Sequence, residues 1–136
     1  MVREIQSAIA VAAFALSLSG CANAPLEASA QPPKEPPGTP ITLTAQQVKE
    51  IQAGVRAFLK DPDSAKFSGP VLAAKRPNGD IEACGMVNAK NSYGGYAGDS
   101  PYVATLRNGK VIDGTTASGN DAQFVIQICR ERGVPL

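Results

Sequence analysis

Apolar residues recur along this chain with three different spacings, and each spacing predicts a different element. Residues 8–18 are apolar at every position except Ser17. A run of this length is too short to cross a bilayer, which takes about 20 helical residues. Further on, Val48, Ile51, Val55 and Phe58 return at steps of three and four, the stripe of an amphipathic helix. That helix is predicted over 44–60. Thr44 and Gln47 have capping-box spacing, Leu43 is placed to staple onto Val48, and Asp61-Pro62 stops the helix and opens a short turn. Gly54 inside it marks a close approach to a neighbour. From residue 71 the spacing becomes that of strands. Segments 71–76 and 81–88 flank Pro77-Asn78-Gly79-Asp80, and segments 102–107 and 110–113 flank Asn108-Gly109. The second dipeptide is the one favoured in a two-residue type I′ hairpin. Last, Ala122, Val125, Ile126 and Cys129 share one face of a helix predicted over 121–132, capped by Asn120 and closed by Gly133 and Pro135. A helix, about four antiparallel strands and a second helix make the class α+β.

Composition adds a tether and removes several functions. Between residues 22 and 40 stand Pro25, Pro32, Pro33, Pro36, Pro37 and Pro40, more than half of the chain's 11 prolines, with almost no large apolar side chain. Such a segment cannot bury enough surface to offset its ordering entropy and is expected to be an extended spacer. The folded domain is therefore predicted over 41–136. Net charge is +1 with no basic stripe, which gives nucleic-acid binding no support. Histidine is absent, so the usual base for a serine or cysteine nucleophile is missing. With Cys84 and Cys129 as the only soft ligands of the domain, no metal site or cofactor is expected.

Leu18-Ser19-Gly20-Cys21, at the end of the apolar run, resembles the lipobox of bacterial lipoproteins. Arg3 supplies the charge before the run, and Ser19 and Gly20 are the small residues before a cut. The resemblance implies that residues 1–20 are a signal peptide and that Cys21 is lipidated and becomes the mature N-terminus. Several acyl chains then anchor the protein to a membrane stably, where one would hold it only marginally. Ala22 follows the cysteine in place of the aspartate of inner-membrane retention, so the expected home is the outer membrane, facing the periplasm. An ordinary secretory signal cut after Ala22 or Ala24 is the competing reading. Lipidation of Cys21 leaves Cys84 and Cys129, which can pair in an oxidising periplasm and close a loop of about 45 residues. Two buried free thiols are the alternative.

One connection, residues 88–102, is longer than a hairpin needs and holds all 3 tyrosines. Asn88, Lys90, Asn91, Tyr93, Gly94, Gly95, Tyr96 and Tyr102 are its candidate binding residues, because rigid amphipathic rings on a glycine-rich backbone suit recognition. Two readings stand side by side. The glycines and tyrosines form a binding loop, or the glycines serve turns of positive φ and the tyrosines cover a small core. The stretch from Asp61-Pro62-Asp63-Ser64-Ala65-Lys66-Phe67 through Cys84-Gly85-Met86-Val87-Asn88-Ala89-Lys90-Asn91-Ser92-Tyr93-Gly94-Gly95-Tyr96 resembles a group of small exported bacterial proteins that share DPxSAxF…CGxVNxKNxxGGYxG. The group has no assigned activity, so the resemblance implies no chemistry.

The expected function is a non-catalytic cell-envelope lipoprotein that presents a disulfide-clamped domain to a protein or cell-wall partner. A periplasmic inhibitor of lysozyme or of a protease is a sharper rival, although no inhibitor motif is present. An enzyme of unknown type is the third reading. Asp80, Glu82, Asp99 and Lys90 are its candidate acids and bases, and they form no recognisable catalytic pair.

Overall fold

The computed structural model describes residues 34–136. The expected signal segment 1–20, the lipidation site Cys21 and tether residues 22–33 lie outside the described residues. The elements run β1 (Thr39–Ile41), α1 (Ala45–Arg56), β2 (Lys66–Lys75), β3 (Ile81–Asn88), β4 (Ser100–Arg107), β5 (Lys110–Thr116) and α2 (Ala122–Glu131). Short 3₁₀ turns stand at Pro62–Ser64 and Gly119–Asp121. All pairs are antiparallel in the order β1-β2-β3-β4-β5, so each strand lies beside its neighbours in sequence. The class is α+β, with one more strand than the sequence predicts.

The central strands do not alternate between buried and exposed, and the reason is the layering. Residues 101–106 of β4 are all buried. Successive side chains of a strand point to opposite faces, so both faces of the sheet must be covered. On one face Ile51 and Val55 of α1 pack with Ala73, Ala83, Val87, Tyr102, Ala104 and Leu106. On the other, Val125 and Cys129 of α2 pack with Ala74, Cys84 and Val103, joined by Val134. Adjacent residues such as Ala83 and Cys84, or Val103 and Ala104, thus serve different cores. Each fully buried aliphatic residue of α1 contributes about 1.5–3 kcal/mol by leaving water. The helix packs closely because Gly54 has no side chain: a Cβ there would lie 2.6 Å from Val111 Cβ on β5.

Caps and turns follow the sequence closely at some ends and depart from it at others. Thr44 Oγ1 accepts from the Gln47 N–H at 3.2 Å, and Gln47 Oε1 accepts from the Thr44 N–H at 2.8 Å, which completes the capping box. The helix stops at Arg56 rather than residue 60, because the N–H groups of Ala57, Phe58 and Leu59 turn back three residues to Gly54, Val55 and Arg56. Asp61 caps the following turn through the Ser64 N–H, with Pro62 in first position. Asn108 and Gly109 have φ of 52° and 74°, as a type I′ hairpin requires. The cap expected from Asn120 does not form. Asn120 lies inside the 3₁₀ turn that runs straight into α2, and neither Ser118 nor Asp121 makes a side-chain capping bond. At the other end Gly133, at φ 88°, donates to Arg130 O and Val134 donates to Cys129 O, a Schellman stop.

Several strand boundaries need correction: β4 begins at Ser100 rather than 102, and β5 runs to Thr116 rather than 113. β2 begins at Lys66 rather than 71, because the ladder passes Gly69-Pro70 as a bulge and resumes at Leu72. A proline without an N–H reads as a strand limit, and the bulge is what accommodates it. β1 lies partly inside the expected tether. Thr39, Pro40 and Ile41 pair with Lys75, Ala74 and Ala73 on the edge of the sheet, where a proline costs no ladder bond. Upstream of it, Gly38 donates to Arg132 O at 3.0 Å, Lys34 pairs with Glu131 at 3.1 Å, and Glu35 pairs with Arg76. The folded domain therefore begins by residue 34 rather than 41, and residues 34–41 strap its start to the end of α2.

The Cys84–Cys129 disulfide is formed, with Cα atoms 6.3 Å apart. It joins α2 to β3 through the second core, as the cysteine arithmetic predicts.

Candidate functional site

The tyrosine-rich connection is a small second hairpin built on Asn91. Lys90 and Tyr96 form an isolated antiparallel bridge. Asn91 Oδ1 accepts from the N–H groups of Tyr93 and Gly95, and its carbonyl accepts from the Gly94 N–H. Asn91 in turn donates from its own N–H to Gly95 O at 2.9 Å. Gly94 and Gly98 take φ of 80° and 97°, which a side chain would resist.

Ser64 fastens this hairpin to the turn that follows α1. Its hydroxyl accepts from the Lys90 N–H at 2.8 Å and donates to Asp61 O, while its carbonyl accepts from the Tyr96 hydroxyl at 3.0 Å. The Tyr96 ring is also faced by two ammonium groups, Lys66 Nζ at 4.2 Å and Lys90 Nζ at 5.9 Å from its centroid. The two halves of the DPxSAxF…CGxVNxKNxxGGYxG pattern therefore meet in space and hold each other. Tyr93 is different. At the tip of the hairpin it is 97% exposed, whereas Tyr96 is 42% exposed.

Two predicted loop residues do not belong to the loop surface. Tyr102 is on β4 and fully buried, with its ring edge-on to Phe67 at 5.9 Å. It fits because its cross-strand partner is Gly85, where a Cβ would lie 2.5 Å from the Tyr102 hydroxyl oxygen. Asn88 closes β3 and pairs across to Lys66, with its Oδ1 buried and without a partner among the described residues. The reading in which a tyrosine covers the core holds for Tyr102.

Among the described residues the Tyr102 hydroxyl also has no hydrogen-bond partner, and burial pushes its pKa up to about 12. Tyr102→Phe is expected to be neutral or to stabilise by about 1 kcal/mol, since it removes an unpaired polar group. An unfolded tyrosine ionises near pH 10. The folded chain keeps its proton longer, so this contribution to stability is complete below pH 10 and is lost between pH 10 and about 12. Urea midpoints from pH 9 to 12 should fall less steeply for the Phe variant. Identical slopes would count against this assignment.

The carboxylates considered for acid–base work are each engaged elsewhere. Asp80 accepts two bonds from Arg107 and one from Asn78, and the Arg107 bonds lead in holding its carboxyl below the usual range. Glu82 is buried among Arg76, Arg132 and Thr105. Asp99 accepts from the Ser68 hydroxyl at 2.7 Å. Among the described residues no group of three or more cysteine and carboxylate side chains is placed to hold a metal ion.

Beside the tyrosine hairpin lies an open cleft of about 280 Å³. Its walls come from the turn after α1, the end of β3, residues 97–100 and the end of β5. The sequence pattern points to Lys90 and Asn91 here but misses Phe58 and Lys60, because the walls meet only after folding.

Register puts this cleft and hairpin at one pole of the sheet. Lys66 pairs with Asn88 at that end of β2, and Lys75 pairs with Ile81 and Thr39 at the other. The strap 34–38 enters at the Lys75 end, about 30 Å away along β2 at roughly 3.3 Å per residue.

Comparison with known proteins finds no family model, no curated protein and no solved structure that matches this chain.

Proposed function

We propose that this chain is a non-catalytic lipoprotein of the bacterial cell envelope whose domain binds a protein or cell-wall partner through the Tyr93 pole. The observation that carries the reading is Tyr93 itself, a tyrosine 97% exposed on a hairpin held by at least four backbone and Asn91 bonds. A large ring kept rigid in water at no further ordering cost is what an interface anchor needs. Its position supports the same reading. The strap 34–38 enters the domain at the far pole, so the point where the chain joins the domain leaves the Tyr93 pole uncovered. Tyr93 also stands at an open position of the pattern, whereas Lys90, Asn91, Gly94, Gly95 and Tyr96 form its frame. Engagement of Asp80, Glu82 and Asp99 in bonds that stabilise the fold supports a non-catalytic role. Retention in the outer membrane, facing the periplasm, follows from Ala22 by analogy with lipoprotein sorting.

Two measurements test this. Intact mass of the membrane-extracted protein should give a chain that begins at Cys21, with added acyl mass and the loss of two hydrogens at Cys84 and Cys129. A mature chain that begins elsewhere would overturn the anchor. In-cell cross-linking should give partner adducts that fall about tenfold or more in Tyr93→Ser, in line with loss of a hot-spot ring. Thermal unfolding should stay unchanged, because the ring touches solvent alone. An identical adduct pattern would remove Tyr93 from the interface. Tyr96 is the poorer probe, since its hydroxyl is bonded to Ser64.

A further inference from the structure

We infer that the cleft beside Tyr93 receives the free C-terminal end of a peptide, with its carboxylate between Lys60 and Lys90 and its last side chain on the apolar wall. The charge of the lining is one-sided: among the described residues Lys60 and Lys90 are its charged members, and no carboxylate lines it. The two acids next to lining residues in sequence are bonded elsewhere: Asp99 accepts from the Ser68 hydroxyl on β2, and Asp61 caps Ser64. The same lining carries an apolar part, to which Phe58, Val87 and Ala97 contribute. Phe58 is fixed there by packing on Gly114, where a Cβ would lie 2.5 Å from Phe58 Cε2, and its ring remains 38% exposed. The Ser118 hydroxyl borders the cleft and makes no capping bond, which leaves it as a donor.

A chain terminus is the ligand that carries an anion and an apolar side chain on one carbon, with an amide just behind. That combination matches paired lysines against a short greasy wall with a hydroxyl beside it. A long acyl chain does not match an open cleft of about 280 Å³, and a bare phosphate leaves the apolar wall unused. The size suits the terminal residue and the peptide unit before it, so small apolar termini should be preferred.

The inference rests on the reading of this pole as a binding face, and its test is kept separate from partner capture in cells. Acetyl-alanyl-alanine, as the free acid and as the C-terminal amide, is titrated into the isotopically labelled full chain while backbone amide shifts are followed. The acid should move amides of residues 58–60, 87–91 and 116–118 at millimolar concentration, and the amide form should bind about tenfold more weakly, the loss of a charge-assisted contact. The Lys60→Gln, Lys90→Gln double variant should abolish the difference between acid and amide, with the rest of its spectrum unchanged. Equal binding of acid and amide, or no shifts at these residues, would overturn the inference. Shifts of equal size with inorganic phosphate would overturn it too, by making the site a general anion contact. Loss of adducts in Tyr93→Ser alongside a failed titration would leave the binding pole standing without the terminus.

Discussion

Reducing the Cys84–Cys129 bridge, or replacing both cysteines by alanine, should lower the unfolding free energy by about 4 kcal/mol, the chain-entropy value for a loop of about 45 residues. The melting temperature should fall on the order of 20 °C, at roughly 4–8 °C per kcal/mol for a domain of this size. The effect is large because of what α2 has besides the bridge. The helix covers its face of the sheet with Val125 and Cys129, backed by Val134. A helix of 10 residues is not stable in water without tertiary contacts. Its C-terminal end also carries Glu131 and Arg132, which hold Lys34 and Gly38 of the strap. Loss of the bridge should therefore loosen α2 and residues 34–41 together while α1 and the central strands persist longer. Calorimetry with and without reductant gives the size of the effect, and amide exchange gives its location. A change below about 1 kcal/mol, or loosening spread evenly over the sheet, would refute this account.

How much of this was legible in the sequence depends on whether a residue's partner is near it along the chain. The capping box of Thr44 and Gln47, the Asp61-Pro62 turn, the Asn108-Gly109 hairpin and the Gly133 stop are local, and each forms where its signal stands. The disulfide was legible through arithmetic, because only two cysteines remain once Cys21 is set apart. β1 was not legible: three residues around a proline carry no period, and pairing with β2 alone defines them. The placement of a helix on each face was hidden for a related reason. Small residues such as Ala73, Ala74, Ala83 and Ala104 fill both cores, so the strands show neither clean alternation nor a run of large apolar residues. The loop was half legible. Its glycines announced turns while the role of Asn91 as their acceptor went unread, and its three tyrosines look alike in sequence and have three fates. Tyr102 lies in the core, Tyr96 is bonded to the frame and Tyr93 stands in solvent. Ser64 and Gly85 decide those fates from other strands and turns.

The second large effect is expected at the opposite pole. Glu82 is fully buried on β3, and its carboxylate accepts from Arg132 at 2.5 Å, Arg76 at 3.2 Å and the Thr105 hydroxyl at 3.0 Å. An ionised carboxylate at that depth is tolerable only while it is paired. Replacing Arg76 and Arg132 together by methionine should cost about 3–5 kcal/mol, because it leaves a buried charge with one hydroxyl for company. Adding Glu82→Met should recover most of the loss, since an apolar side chain of similar size asks for no partner there. Recovery separates this reading from simple packing damage, which a third substitution would deepen. Urea midpoints of the parent, double and triple variants settle the matter. A double variant within about 1 kcal/mol of the parent, or a triple variant no better than the double, would sink it. The same variants bear on function. Glu82, Arg76 and Arg132 sit where the strap enters, and nothing in their contacts reaches the Tyr93 hairpin. If one pole holds the domain to its tether and the other meets the partner, the triple variant should keep the parent's Tyr93-dependent cross-links. Loss of those adducts in a chain that has regained its stability would mean that the two poles are coupled through the sheet.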